Sequence, residues 1–435
     1  MDVASGPSPT TNSTNRSPAP FRFPSTSLLF TDTILLFRNF AYLPYIIFPL
    51  NTSNPRGELY LWSPGNIFTL LVHVIFVAVG ILGFGLIPLW LQWPGAMWLL
   101  FAAGYGAVVW ALAWILNQAP EGELIESQPT IDEVPGEKWV FVNGVMAGRW
   151  WAQSAIDELQ RRFGRPIDAI HNRTYGVVLD IFQCLIQRDL GLTSGCVRNT
   201  YKQLRTNLLM RDPKNREEWR YKKVVVIAHS QGALVTSLAL DMLYADVADE
   251  VLQRLEVYTF GCAANHFNNP PNTYTPKSGG KAIRFPTIKH IEHYGNEYDF
   301  VSRFGVLAYH PGPRARQDNT EADFLEWSLS GRPHVADDAY HGSGMEDNQF
   351  AGKLFMRPGK GGHQFVMHYL DEMFNVGEEG KPVFVPVNAT EDAADGRSDA
   401  KGVLIDAGQE GVIKKTDLEE TSRLWSYRGG TVLKD

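Results

Sequence analysis

The segment Ala228-His229-Ser230-Gln231-Gly232 holds the residues best placed to do chemistry. Before it, residues 221–228 contain a Val-Val-Val-Ile run that reads as a strand buried on both faces; after it, residues 233–243 read as a helix. A serine at a sharp strand-to-helix turn presents its hydroxyl as a nucleophile for acyl carbonyls. Strand and helix approach closely at such a turn, so the positions two before and two after the serine must be small. Ala228 and Gly232 meet that requirement. The turn would set Ser230 at the carboxyl end of a sheet, with the Gln231 N–H, at the helix start, aimed at a developing oxyanion. His229 reads as a packing residue rather than a second base.

In this motif and its strand–turn–helix setting the chain resembles the α/β-hydrolase superfamily, specifically its lipase-like serine esterases, over about residues 137–375. It departs from the commoner G-x-S-x-G only in having Ala first. The resemblance implies a triad ordered Ser, acid, His along the chain. For the acid it points to Asp299, in Gly295-Asn296-Glu297-Tyr298-Asp299-Phe300-Val301 after a strand at 288–294, with Glu297 the nearest competitor. For the base it points to His363, on the loop Gly361-Gly362-His363-Gln364-Phe365 before a last helix. His310, His334 and His341 occupy intervening loops and stay open as alternatives, whereas His368 reads as capping or packing. The second oxyanion donor is expected from Asn143-Gly144-Val145-Met146-Ala147-Gly148, after the first strand: Val145, with Gly144 as the alternative. Asn143 stands where the superfamily often has His. Trp150 and Trp151 either line an acyl site or pack in the core.

No cofactor is implied, and no metal. His290 and His293 are three apart on an expected strand and so point to opposite faces, and no His/Cys cluster has zinc-ligand spacing. The elements that must position these groups begin near residue 137. Expected strands at 138–143, 167–170, 221–228, 255–260 and 288–294 alternate with expected helices at 151–163, 177–188, 197–210 and 233–243. That alternation predicts an α/β domain over 137–380 with a mostly parallel sheet covered by helices on both faces. Residues 381–435 read as a polar, partly flexible C-terminal tail.

The region before this domain is different in kind. Residues 59–120 contain no Asp, Glu, Lys or Arg in 62 consecutive positions, while the rest of the chain carries all 40 basic and 47 acidic residues. The run divides at Gln92-Trp93-Pro94-Gly95 into spans 67–91 and 96–116, each able to cross a bilayer core of about 20 helical residues. A two-helix transmembrane hairpin is expected, with Trp90, Trp93 and Trp98 near its turn as an interfacial belt. Gly80 and Gly83 on one helix and Gly104 and Gly106 on the other would allow close approach. Residues 27–58, apolar but interrupted by Asp32, Arg38, Pro44 and Pro49, read as an interfacial segment, and residues 1–26 as a disordered tail.

Arg16, Arg22, Arg38 and Arg56 on the N-terminal flank favour a cytosolic catalytic domain on an endomembrane such as the endoplasmic reticulum. Against this stand sequons at Asn12, Asn15, Asn51, Asn172 and Asn388. Three cysteines are too few for a disulfide scaffold in a chain of 435 residues, and a net charge of −7 argues against nucleic acid as a partner. These readings converge on a membrane-held serine hydrolase acting on a lipid or apolar carboxylic ester. An acyltransferase variant and a non-catalytic scaffold are the alternatives.

Overall fold

The Val-Val-Val-Ile run folds as strand Lys223–His229. Val224, Val226 and Ala228 join one hydrophobic cluster, and Val225 and Ile227 join a second. Side chains alternate across a strand with period two, so these clusters are the two layers between a central sheet and its covering elements. The computed structural model describes residues 15–16, 24–50, 53–118, 123–274, 283–310, 350–374, 401–406 and 414–433. His334, His341 and the sequons at Asn12, Asn51 and Asn388 lie outside them.

The main sheet has nine strands: β1 Leu124–Glu126, β2 Glu137–Val142, β3 Ile167–Ile170, β4 Lys223–His229, β5 Leu255–Phe260, β6 His290–Asn296, β7 Lys353–Arg357, β8 Lys401–Asp406 and β9 Lys414–Asp417. Their order is β9-β8-β7-β6-β5-β4-β2-β3-β1. The run from β7 to β3 is parallel throughout, and β1, β8 and β9 are antiparallel additions at the edges. A separate three-stranded sheet joins Asn15–Arg16, Pro271–Tyr274 and Ile283–Pro286. The α/β architecture with a mostly parallel sheet is therefore present.

Helices α1 Ser25–Asn39, α2 Pro64–Gly85 and α3 Gly95–Asn117 precede the sheet, and α4 Arg149–Phe163, α5 Val177–Leu190, α6 Gly195–Leu209 and α7 Gln231–Asp246 are interleaved with it. Ile156, Leu159 and Phe163 of α4 pack on one face. Val197, Leu204 and Leu208 of α6 and Leu234, Leu238 and Leu240 of α7 pack on the other.

The structure bears on three expectations about organisation. The domain does not stop at residue 380: β8 and β9 extend the sheet, and Leu418, Leu424 and Tyr427 are buried in the core cluster. The expected tail is partly core because its few apolar residues sit between polar neighbours that fold inward too. Arg423 pairs with Glu256 at 2.8 Å, and Ser422 and Tyr294 hydroxyls lie 2.7 Å apart. Segment 27–58 is likewise fastened to the domain, because its interrupting Asp32 forms a buried ion pair with Arg188 (Oδ1 to Nη2 2.9 Å) and accepts from Tyr309 at 2.7 Å.

The third expectation concerns the apolar run. Helices α2 and α3 are each long and apolar enough to cross a membrane. The small residues do not simply face one another, however. A Cβ on Gly80 would meet Val178 of α5, one on Gly83 would meet Tyr105 of α3, and Gly104 and Gly106 face open space.

Candidate active site

Ser230 stands where β4 turns into α7, with φ 57° and ψ −126°. A non-glycine residue there carries backbone strain of about 1–3 kcal/mol, which persists only where neighbours over-determine it. Here they do. Ser230 N–H donates to Phe260 O at 2.9 Å, and its carbonyl accepts from Ala233 N at 3.0 Å and Ala263 N at 3.3 Å. Gly232 is required by close approach, since a Cβ there would collide with the Val142 carbonyl. Ala228 is fully buried in the strand before the turn.

The structure brings Ser230, His363 and Asp299 into one hydrogen-bonded line. His363 Nδ1 lies 2.8 Å from Asp299 Oδ2, and His363 Nε2 lies 2.9 Å from Ser230 Oγ. Burial by itself would raise the Asp299 carboxyl, but His363, Tyr369 and Ser302 outweigh it and hold the group below the ordinary carboxylate range. Tyr369 donates to Asp299 Oδ2 at 2.6 Å and Ser302 at 2.9 Å, while Val301 N–H donates to Oδ1 at 2.9 Å. An ionised Asp299 accepts only, so Nδ1 of His363 carries the proton and Nε2 accepts from the Ser230 hydroxyl.

His229 packs its ring 4.7 Å from that of His363 and donates Nε2–H to the His363 carbonyl at 2.8 Å. Burial, with His363 adding to it, pulls its pKa down to about 3, so it is neutral and positions the loop. Glu297 accepts from Gly359 N at 2.7 Å, outside the cluster. His310 is turned to Gly352 O at 3.0 Å, and His368 caps its own helix by accepting from Gln364 N at 2.9 Å. His293 lies 2.7 Å from Thr259 Oγ1 and 3.0 Å from Ala351 O. No group of three metal-ligating side chains occurs among the described residues.

The loop after β2 lies directly against the serine: a Cβ on Gly144 would stand 2.5 Å from Ser230 Cβ. The Met146 N–H donates to Asp180 Oδ2 at 3.0 Å, which leaves Val145 and Gly144 as this loop's candidates to share an oxyanion with Gln231 N. As the first residue of α7, Gln231 has no partner for its N–H within the helix. Asn143 organises the loop: its amide donates to Gly144 O, Ala147 O and Asn172 O, and its Oδ1 accepts from Asn172 N. Asn172 in turn donates to Gln231 Oε1 at 2.8 Å and is buried, so this sequon serves the interior and not a glycan.

Several supporting residues have no sequence signature. Asp180 accepts from Thr174 Oγ1 at 2.5 Å and Tyr175 N at 2.7 Å as well as from Met146; burial outweighs these bonds and lifts its carboxyl to about 6. His73 of α2 donates Nε2–H to the Met146 carbonyl at 2.9 Å and stacks on Trp151 at 5.4 Å. Met146, the residue so held, has φ 61°. Trp150 and Trp151 both donate to Asn66 Oδ1 of α2, at 3.0 and 3.1 Å, so they clasp the apolar helix. A period-based reading cannot find the links to Met146 and Asn66, because each joins residues far apart in the chain.

No protein-family model matches this chain, and no curated protein is significantly similar to it. The reading of the site therefore rests on its own geometry.

Proposed function

We propose that the chain is a serine hydrolase of the α/β-hydrolase type, held in a membrane by α2 and α3 as a transmembrane hairpin, and that it cleaves carboxylic esters of lipid or similarly apolar character. The observation that carries the reading is the line Asp299–His363–Ser230, with separations of 2.8 and 2.9 Å, ending on a strained serine at the carboxyl edge of parallel strands.

In this reading Ser230 Oγ attacks the acyl carbonyl while His363 Nε2 takes its proton, and Asp299 stabilises the imidazolium. The tetrahedral oxyanion accepts from Gln231 N–H and from Val145 or Gly144 N–H. His363 then gives the proton to the departing alcohol, leaving an acyl-enzyme on Ser230. Water, deprotonated by His363, attacks that ester and releases the acid, and the proton returns to Ser230. Strain at Ser230 favours this reading over a scaffold, which gains nothing from a costly backbone conformation. An apolar hairpin beside the site favours substrates that partition into a bilayer, and the arginine-rich N-terminal flank favours a cytosolic domain on an endomembrane.

The test is covalent labelling of the detergent-solubilised full chain with a fluorophosphonate. Wild type is expected to label at Ser230, and Ser230→Ala to lose labelling while keeping its melting temperature. A folded wild type that does not label contradicts the enzyme reading, and labelling that survives Ser230→Ala removes Ser230 as nucleophile.

A further inference from the structure

Helix α5 is amphipathic in the wrong sense for water, and α1 carries apolar residues on its outer face as well as its inner one. On α1, Asp32 and Asn39 are buried against the domain together with Leu28 and Leu35, while Leu29, Phe30 and Phe37 point outward, Phe37 with 73 % of its surface exposed. On α5, Asp180, Gln187, Arg188 and Asp189 are buried while Ile181, Phe182 and Leu190 are about half exposed. A surface helix of a soluble domain does the reverse, with its charges outward and its apolar stripe inward.

The pattern is confined. Among the described residues, large exposed apolar side chains fall within 29–114, at Trp150 and within 181–192, with Val432 the exception. Helix α5 touches both α1 and α2, and the rings of Phe182 and Phe84 of α2 are 6.4 Å apart, so the patch is continuous with the apolar helices. Thr33, exposed on α1, gives its hydroxyl to the Leu29 carbonyl at 2.7 Å and so satisfies its donor without water. A contiguous apolar surface of this kind marks a docking face.

We propose that this face is seated in the acyl region of the bilayer, so that the α/β domain is sunk into one leaflet beside the hairpin and does not hang from it on a tether. The occupant is lipid, not a protein, because the patch runs through Phe182 and Phe84 into helices of bilayer-spanning length and α5 turns no charge outward. Helix α5 also supports the site: Asp180 holds the Met146 amide, and Gln187 accepts from Gln231 Nε2 at 2.9 Å. Resting on the hydrolase reading, this identifies the substrate as an ester whose acyl chains lie in the leaflet, delivered to Ser230 from the lipid side.

The experiment places a nitrobenzoxadiazole fluorophore at Phe37→Cys, at Phe182→Cys and, as an aqueous control on α6, at Lys202→Cys in the full chain reconstituted in phosphatidylcholine vesicles. Unsubstituted protein gives the background from Cys184, Cys196 and Cys262. At 37 and 182 the expected result is quenching by acyl-chain nitroxide lipid and not by iodide, with the reverse at 202. Iodide quenching equal to that at 202 would overturn the proposal. Shielding from both quenchers would assign the face to a protein contact and would overturn it equally. A second arm uses the Ile181→Glu/Phe182→Glu double variant, expected to lower hydrolysis of a long-chain diacylglycerol in vesicles by about tenfold or more while fluorophosphonate labelling in detergent stays at the wild-type rate. Equal hydrolysis by variant and wild type would contradict delivery from the leaflet. Quenching does not depend on catalysis, so loss of the hydrolase reading would appear separately, as a wild type that does not label.

Discussion

Helices α2 and α3 are nearly the same length and equally free of charge, yet they are used differently. On α2, Asn66, Thr69, Val72, His73, Phe76, Gly80 and Gly83 are buried. On α3 only Ala113, Leu116 and Asn117 are, all in its last turns. Every strongly polar side chain of α2 is turned to the α/β domain, where Asn66 accepts from two tryptophans and His73 holds the loop against Ser230. Membrane-spanning length is a property of composition, whereas docking is a property of a few polar residues whose partners lie elsewhere. One helix of the pair braces the loop beside Ser230 along its length, and the other docks only through its end, where Asn117 donates to Thr174 O at 2.9 Å and accepts from Thr174 N at 3.0 Å.

The largest effect that would sharpen this contrast is expected at Asn66. Its amide also donates to Gly57 O at 2.8 Å and Tyr60 O at 3.1 Å. Asn66→Leu therefore strands the indole N–H groups of Trp150 and Trp151 and leaves each carbonyl only its backbone donor, Tyr60 N or Ser63 N. At about 1–3 kcal/mol for each buried unsatisfied group, with partial relaxation, a loss of about 3–5 kcal/mol is expected. Thermal unfolding in detergent measures it. Trp110→Leu on the exposed part of α3 should stay within about 0.5 kcal/mol of wild type, and equal losses at the two positions would erase the contrast.

Glycines give a smaller version of the same test. A side chain at Gly80 must displace Val178, so Gly80→Leu is expected to cost about 1–3 kcal/mol by overpacking. Gly104→Leu meets nothing within 4 Å and should be neutral.

The segment leading into α2 adds a pH dependence that α3 lacks. Glu58 accepts from Val366 N at 2.8 Å and Met367 N at 3.3 Å, just beyond the His363 loop. Burial outweighs those bonds and raises its carboxyl from 4.5 to about 7. The folded state therefore binds the proton more tightly than the unfolded state, so the stability from this group is fully present below 4.5 and is lost as pH rises to about 7. Glu58→Gln should flatten the melting temperature across that window. A slope identical to wild type would show that Glu58 does not titrate there.

Much of the α/β domain was legible from period and punctuation. The strand at 221–228, the helix closed by Gly164 and the strand at 255–260 all stand where alternation and turn residues put them, because those signals are local. The geometry at Ser230 follows from the same kind of signal, small residues flanking a turn. Elsewhere local signals mislead or fall silent. Asp32 looked like an interruption of an apolar segment, and it is the group that fastens that segment to Arg188. The C-terminal residues looked like a polar tail, yet Leu424 and Tyr427 complete the core. Tyr369 on Asp299, and Asp180 and His73 on the Met146 peptide, depend on chain crossings that no spacing encodes.

The most direct measurement is the rate of fluorophosphonate labelling of two full-length variants, His73→Leu on α2 and Trp110→Leu on α3, beside wild type. If α2 braces the site, His73→Leu releases the Met146 carbonyl, loosens the loop proposed to supply an oxyanion donor and labels about tenfold more slowly, with the reagent concentration for half-saturation unchanged. His73→Gln, which retains a donor, recovers part of that rate, and Trp110→Leu labels as wild type does. Equal rates for His73→Leu and wild type, or equal slowing of both variants, would contradict the account.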